Sequence, residues 1–350
     1  MNRVSLTING SKVSVPEGTT VLMAAKIANI HIPSLCYHPE LSIEGSCRVC
    51  LVEVQGARNL VASCAHPVSE GMVVSTNTDA VRAARKTVVE LILANHPWDC
   101  LYCQRNLDCE LQRLVLETGV RTKMYEGERR QYPVDMSNPF IIRDNNKCVL
   151  CGRCVRACKE LQCCNILDLA NRGFDTKVTP AFDVATVESD CVYCGACVSV
   201  CPVGALTERP MYFEGLPDKK VKTTCPFCGV GCNFDLNVKN DQVVGVTSNP
   251  TSAVNGRLTC VKGRFGTDFI HSPARLTSPL IKKDGQFIEA SWDDALNLVA
   301  EKLTGIKSEY GADAIAALSS ARCVNEENYL MQKLVRAAIG TNNIDHCARN

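Results

Sequence analysis

Cys148-Val-Leu-Cys151-Gly-Arg-Cys154-Val-Arg-Ala-Cys158, answered by Cys191-Val-Tyr-Cys194-Gly-Ala-Cys197-Val-Ser-Val-Cys201-Pro202, decides how this chain is read. Each run has the form C-x2-C-x2-C-x3-C, and the second carries a trailing proline. This spacing holds pairs of [4Fe–4S] clusters. Three cysteines of a run grip one cluster, and the fourth, a helical turn further on, points at the other. Cys148, Cys151, Cys154 and Cys201 are therefore assigned to one cluster, and Cys191, Cys194, Cys197 and Cys158 to its partner. Zinc is the alternative, but it usually takes two C-x2-C pairs. Paired clusters pass electrons singly, so the expected function is redox.

On the N-terminal side, Val4, Leu6 and Ile8 alternate, Asn9-Gly10 turns, and Val13 and Val15 alternate back, which predicts a hairpin. Thr19 or Thr20 can cap a short helix from Val21. Cys36, Cys47, Cys50 and Cys64 follow at C-x10-C-x2-C-x13-C, flanked by strand-like Leu51–Val54 and Leu60–Ala62. A small β-rich domain with these four suggests a plant-type [2Fe–2S] site, although the spacing departs from C-x4-C-x2-C; structural zinc is the other reading. Residues 79–95 have helical periodicity, ended by His96-Pro97. His96-x3-Cys100-x2-Cys103-x5-Cys109 can hold zinc or a cluster. Its position between two other cluster domains favours [4Fe–4S]. The charged run through 111–140 reads as a solvated connector.

Between the paired runs lie 32 residues, an insertion that should pack beside the clusters, with Cys163 and Cys164 as packing cysteines. Lys219, Lys220 and Lys222 mark a linker. Cys225-Pro-Phe-Cys228-Gly-Val-Gly-Cys232 and the remote Cys260 make a fifth set. Gly229 and Gly231 suit tight turning there, but G-x-G without a third glycine is no dinucleotide loop. From Ser291 the pattern turns α/β: a capped helix, a buried strand over Ala314–Leu318, and a helix from Asn325 to Ile339 closed by Gly340.

Composition limits the function classes. The chain has 350 residues, 23 cysteines and a net charge of +1, which gives no reason to expect nucleic acid. No apolar run approaches the length of a membrane span, the nearest being Val88 to Ala94 with Glu90 inside it, and no signal peptide is visible. A cytoplasmic location is expected, where cysteines serve metals more often than disulfides.

Together the five sets resemble the N-terminal part of a cytoplasmic molybdenum- or tungsten-dependent formate dehydrogenase catalytic (alpha) subunit with an NADH-dehydrogenase-like cluster extension. Arg172-Gly-Phe-Asp-Thr-Lys-Val178, Ser320-Ala-Arg-Cys323, Asn325-Glu-Glu-Asn-Tyr329 and Gly340-Thr-Asn-Asn-Ile-Asp345-His-Cys-Ala-Arg349 carry the resemblance alongside the cysteines. It implies an α+β, multidomain chain. A β-grasp [2Fe–2S] ferredoxin domain would span 1–78. A [4Fe–4S] domain with one histidine and three cysteine ligands would span 79–119, and a linker 120–139. A two-cluster ferredoxin domain would span 140–210, a [4Fe–4S] domain of the oxidoreductase 221–276, and the incomplete start of a molybdopterin oxidoreductase α/β domain 277–350. The resemblance implies one [2Fe–2S] cluster on Cys36, Cys47, Cys50 and Cys64. It implies four [4Fe–4S] clusters, on His96, Cys100, Cys103 and Cys109, on the ferredoxin pair, and on Cys225, Cys228, Cys232 and Cys260. It also implies a metal–bis(molybdopterin guanine dinucleotide) centre, with Lys262 between the last cluster and one pterin.

Formate or carbon dioxide would be the substrate of the full-length enzyme. The electron acceptor would be a partner subunit linked to flavin, NAD(P) or ferredoxin, or a hydrogenase subunit. Electrons would leave through the 225–260 cluster, then the ferredoxin pair, then the His-ligated and [2Fe–2S] clusters. Rivals are the large cluster subunit of NADH dehydrogenase, a stand-alone electron-transfer module, and an iron-only hydrogenase subunit. In the resembling family an Ala-Arg-x triplet leads to the cysteine or selenocysteine that binds the catalytic metal. Here the triplet is Ala348-Arg349-Asn350. The expectation is a chain ended at a selenocysteine codon read as a stop, inactive alone, with the catalytic residue immediately after Asn350. A fragment or a frameshift is the alternative.

Overall fold

The computed structural model describes residues 2–212 and 214–347. Two compact units appear, Met1–Gly215 and Leu216–Asn350. The Ala348-Arg349-Asn350 triplet lies outside the described residues.

The first unit opens with the expected hairpin, β1 (Arg3–Ile8) and β2 (Ser11–Pro16). Asn9 at φ 48° and Gly10 at φ 83° supply the two left-handed positions that a tight hairpin turn needs. Thr20 caps α1 (Val21–Ile27), its hydroxyl accepting from Met23 N–H. Strands β3 (Leu51–Val54), β4 (Val61–Ala62) and β5 (Val73–Ser75) complete a sheet of order β2-β1-β5-β3-β4. Strand β5 runs parallel to β1. Leu6, Ile8, Val15, Val21, Leu22, Val52 and Val74 form the core between α1 and the sheet.

Thr78 caps α2 (Asp79–Asn95), whose side chains Val81, Val89 and Leu93 are buried. The connector expected over 111–140 is corrected at its start. Residues Glu110–Thr118 form a helix, α3, because Leu111 and Leu114 bury one face while the charged residues stay outside; Gly119 in left-handed conformation ends it. Further on, the segment is pinned by hydrogen bonds from Arg130 N–H to Asn95 Oδ1 (2.9 Å) and from Tyr132 N–H to Asn146 Oδ1 (2.8 Å). Burial would raise the Asp135 carboxyl, but hydrogen bonds from Ser137 and Thr186 outweigh it and hold it near 2.

Strand β6 (Ile141–Arg143) pairs with β9 (Leu206–Glu208), bracketing the paired cysteine runs. Short helices α4 (Arg153–Arg156) and α5 (Ala196–Val200) carry the ends of the two runs. Between them the insertion folds as a hairpin, β7 (Leu167–Ala170) with β8 (Lys177–Pro180). Cys163 and Cys164 are not the packing cysteines expected: Cys163 is exposed and Cys164 half-buried. The chain reverses there at the surface, so the Cys163 thiol stays outside while Cys164 reaches only the rim of a cavity.

In the second unit the lysines read as a linker instead form β10 (Lys219–Thr224), the edge of a three-stranded sheet with β11 (Asn233–Lys239) and β12 (Gln242–Ser248). Lysines suit an edge strand because their charge discourages further pairing. Helix α6 (Val261–Phe265) follows Cys260. A second unforeseen hairpin joins β13 (Leu280–Lys283) to β14 (Gln286–Glu289). Ser291 caps α7 (Trp292–Tyr310) as expected.

The strand expected over Ala314–Leu318 is shorter. Residues Ala312–Ala314 form a 3-10 turn and β15 spans Ala317–Ser319. Ile315 is buried against Val335 and Ile339, but Leu318 is 83% exposed, because only one face of β15 is packed. Helix α8 (Asn325–Lys333) continues as a π-helix over Leu334–Ile339 to a left-handed Gly340. Strand β16 (Ile344–His346) pairs parallel with β15. No helix among the described residues is long and apolar enough to cross a membrane.

Candidate iron–sulfur sites

The two paired runs fold alike. Leu150 (φ 51°) and Tyr193 (φ 53°) take left-handed backbone before the second cysteine, and Gly152 (φ 67°) and Gly195 (φ 72°) repeat it after. This twist winds each run around a space and turns backbone N–H groups inward: Leu150 N–H donates to Cys148 Sγ at 3.4 Å. The predicted exchange of fourth cysteines has a structural counterpart. Cys148, Cys151, Cys154 and Cys201 line one cavity, with about 400 Å³ of empty space. Cys158, Cys191, Cys194 and Cys197 line another, of about 550 Å³. The insertion hairpin contributes Val178 to the first wall and Leu167 to the second.

The chemistry of these donors matches iron–sulfur clusters. Burial pushes the thiols up, Cys148 to about 11 and Cys151 to about 12, and raises Cys154 and Cys197 further. A buried thiolate is costly unless a cation neutralises it. Among the described residues no three His, Cys, Asp or Glu side chains close on one point as single-ion ligands do. The thiols ring cavities instead.

At the first set, Cys36, Cys47, Cys50 and Cys64 sit together in the loops beside β3 and β4. Hydrogen bonds among the thiols hold Cys36 down and push Cys47 and Cys64 up, while Cys64 lowers Cys50 to about 6. Thiols close enough to share protons can share iron. Leu35 and Cys36 N–H groups both donate to Cys47 Sγ at 3.4 Å. From α2, Arg85 braces the loop by donating to the carbonyls of Val49 (3.0 Å) and Leu51 (3.1 Å).

His96 lies at the end of α2, in the wall of a cavity shared with Cys100 and Cys109. Burial lowers its imidazole to about 4, so the ring is neutral at pH 7. Its Nδ1 is buried without a hydrogen-bond partner, and in the tautomer protonated at Nε2 it would offer its lone pair to a metal. Burial raises the Cys100 and Cys109 thiols, and charge on the nearby Cys103 adds to it; the Cys103 sulfur lies against Gly204.

Residues outside the ligand sets join these sites. Arg156 is buried, and its Nη2 donates to the carbonyls of both Cys36 (2.7 Å) and Cys151 (3.1 Å). Arg105 donates to the Cys201 carbonyl at 3.3 Å, and Glu110 N–H to the Pro202 carbonyl at 2.9 Å. The Cys148 set thus neighbours the Cys36 set on one side and the His96 set on another. Neither Arg156 nor Gly204 carried a signal in sequence, since nothing marks an arginine or glycine whose partner is distant in the chain.

In the second unit Cys225 N–H donates to the Cys232 carbonyl at 2.8 Å, closing the loop through left-handed Gly231. Cys225 is pushed up by burial, then by the nearby Cys260 and Cys228. Lys262 is exposed on α6. Asn325, at the start of α8, donates to the Gly229 carbonyl at 2.7 Å. A Cβ at Gly229 would stand 2.5 Å from Asn325 Oδ1. Gly229→Ala should therefore swing Asn325 away and cost about 1 kcal/mol, the worth of one hydrogen bond. In chemical denaturation the second unit should lose that much, whereas Gly305→Ala, with nothing within 4 Å, should lose none.

Comparison with known proteins follows the same order of sites. Residues 1–79 match a 2Fe-2S iron-sulfur cluster binding domain and 85–123 the NADH-ubiquinone oxidoreductase-G iron-sulfur binding region. Residues 138–207 match the ferredoxin-like domain of NADH-quinone oxidoreductase subunit 3. Residues 218–272 match the molybdopterin oxidoreductase Fe4S4 domain, and 275–350 molybdopterin oxidoreductase. The chain is 40% identical to the alpha subunit of an NADPH-Fe(3+) oxidoreductase of Geobacter sulfurreducens, over 99% of this chain and 40% of that one. It is 34% identical to a candidate formate dehydrogenase of Staphylococcus aureus, over 98% of this chain and 39% of that one. It thus spans about 40% of the length of these curated relatives. A crystal structure of an NAD+-reducing [NiFe]-hydrogenase matches 59% of this chain and 87% of its own, with 31% identity and a TM-score of 0.52. Five consecutive domain matches follow the order of the cysteine sets: the chain is similar in turn to iron–sulfur domains of NADH dehydrogenase type and then to molybdopterin oxidoreductase domains.

Proposed function

We propose that the chain is the electron relay of a formate dehydrogenase or carbon dioxide reductase catalytic subunit. The observation that carries the relay is the gathering of four ligand sets in one compact unit, with Arg156 and Arg105 hydrogen-bonded to ligand carbonyls. Cys36, Cys47, Cys50 and Cys64 would hold a [2Fe–2S] cluster. His96 with Cys100, Cys103 and Cys109, the two paired sets, and Cys225, Cys228, Cys232 and Cys260 would each hold a [4Fe–4S] cluster. When bound, such clusters supply one-electron carriers at low potential. The chain's own residues wall the paired sites with apolar side chains, aim N–H groups at the sulfurs and keep neighbouring sites in register. Such donors favour the more negative state of a cluster and so tune its potential.

The formate assignment rests on the Staphylococcus aureus relative and on the 320–349 signature. Lys262, exposed and two residues from Cys260, would present its ammonium to an anionic pterin bound by the longer protein. Cytoplasmic placement and a flavin-, NAD(P)- or ferredoxin-linked partner subunit belong to the same proposal; a hydrogenase subunit is an alternative partner. A second reading, an NADPH-linked metal-ion reductase, is favoured by the higher identity to the Geobacter protein.

After anaerobic reconstitution the chain is expected to carry about 18 irons, as one two-iron and four four-iron clusters. Elemental analysis finding zinc in their place would refute the relay. Reduction of the clusters in the longer protein by formate, and not by NADPH, separates the two readings.

A further inference from the structure

Four thiols suffice for a four-iron cluster, yet five line the second paired cavity. Cys164 stands in its wall with Cys158, Cys191, Cys194 and Cys197. The backbone brings it there. The helix carrying Cys158 widens into a π-turn over Ala157–Leu161, and the chain then reverses through left-handed Cys163 (φ 56°) and Asn165 (φ 51°). Cys164 N–H donates to the Cys158 carbonyl at 2.9 Å, and Ile166 N–H donates to Cys158 Sγ at 3.3 Å. The Cys164 thiol itself donates to the Gln162 carbonyl at 3.5 Å, which parks it at the rim, half-buried.

We propose that Cys164 is a reserve ligand able to replace Cys158. This rests on the reading that Cys158, Cys191, Cys194 and Cys197 hold a [4Fe–4S] cluster. Cys158 is the thiol replaced because it alone of the four shares a turn with Cys164. A π-turn is also a weakly held stretch of helix that a small backbone movement can reset. The exchange is redox-neutral. The Cys164 S–H bond breaks and its sulfur forms a bond to iron. The iron bond to Cys158 breaks, and the proton passes to the Cys158 sulfur. The effect is to keep the fourth iron when Cys158 is unavailable, at a site whose rim is open to solvent.

The test uses the anaerobically reconstituted chain, iron analysis and electron paramagnetic resonance. Cys158→Ala is expected to keep the wild-type iron content without a three-iron signal. Cys158→Ala with Cys164→Ala should lose about one iron and show that signal. A three-iron signal as strong in the single variant as in the double overturns the proposal. Should Cys158→Ala fail to fold, Cys164→Ala with all four ligands intact gives a second reading. Under ferricyanide it should shed iron from the pair several-fold faster than the wild type, and equal rates overturn the proposal. A wild-type chain lacking four-iron signals from the pair would instead remove the underlying cluster assignment.

Discussion

Replacing Arg156 with alanine is expected to lower the stability of the first unit by roughly 3–5 kcal/mol and to disturb two clusters at once. Arg156 is 6% exposed. It donates to the carbonyls of Cys36 and Cys151, and to that of Ser42, while Glu44 Oε2 lies 3.5 Å from Nε. Truncation leaves the buried carbonyls of Cys36 and Cys151, and the part-buried one of Ser42, without that donor, and an unsatisfied buried acceptor costs about 1–3 kcal/mol. The loop carrying Cys36 and the run carrying Cys151 are then no longer tied together. Arg156→Lys keeps the charge but not the planar fork, so it should fall between wild type and alanine. Denaturant melts of the reconstituted chain measure the loss. Paramagnetic resonance should show altered signals from the two-iron cluster and one four-iron cluster, with the remaining signals unchanged. A stability within about 1 kcal/mol of wild type would mean that Arg156 is not the tie.

The second large effect is expected at Gly204. A Cβ there would lie 2.6 Å from Cys103 Sγ and 3.5 Å from Lys147 Cδ. In the metal-free chain the Cys103 thiol can rotate aside at modest cost. As a cluster ligand its sulfur is held by iron, and the clash must be met by moving the ligand or the loop after Cys201. Gly204→Ala should therefore fold yet lose about four irons on reconstitution, with the resonance of the His96 cluster gone. Gly127→Ala, with open space around its Cβ, serves as the matched control and should keep full iron content. Full iron content in Gly204→Ala would exclude Cys103 as a ligand. Because the apo fold is spared, iron content separates this effect from simple misfolding.

The fold was legible wherever the pattern was local. Asn9-Gly10, Thr20 before α1, the periodic run through α2 and Ser291 before α7 each depend on residues within a turn of one another. The Asp284-Gly285 turn between β13 and β14 is of the same kind but is flanked by too little alternation to stand out; both residues take the left-handed backbone that a tight turn needs. Lys219–Thr224 misled because a charged edge strand resembles a linker until its partner β11 is known. Leu318 misled in the opposite sense, since apolar character does not say which face of a strand is covered.

The ligand sets divide along the same line. Spacing alone grouped the cysteines, because a C-x2-C-x2-C-x3-C run curls around one centre and needs little from the rest of the chain. That Cys148, Cys151 and Cys154 share a cavity with Cys201 follows from the strands that pair across the insertion, β6 with β9. The orphaned Nδ1 of His96, the reach of Arg156 to two carbonyls far apart in sequence, the closeness of Gly204 to Cys103 and the fifth thiol of Cys164 were decided only by the tertiary structure. Each depends on burial or on a contact between distant residues, and neither quantity is a property of any one stretch of sequence.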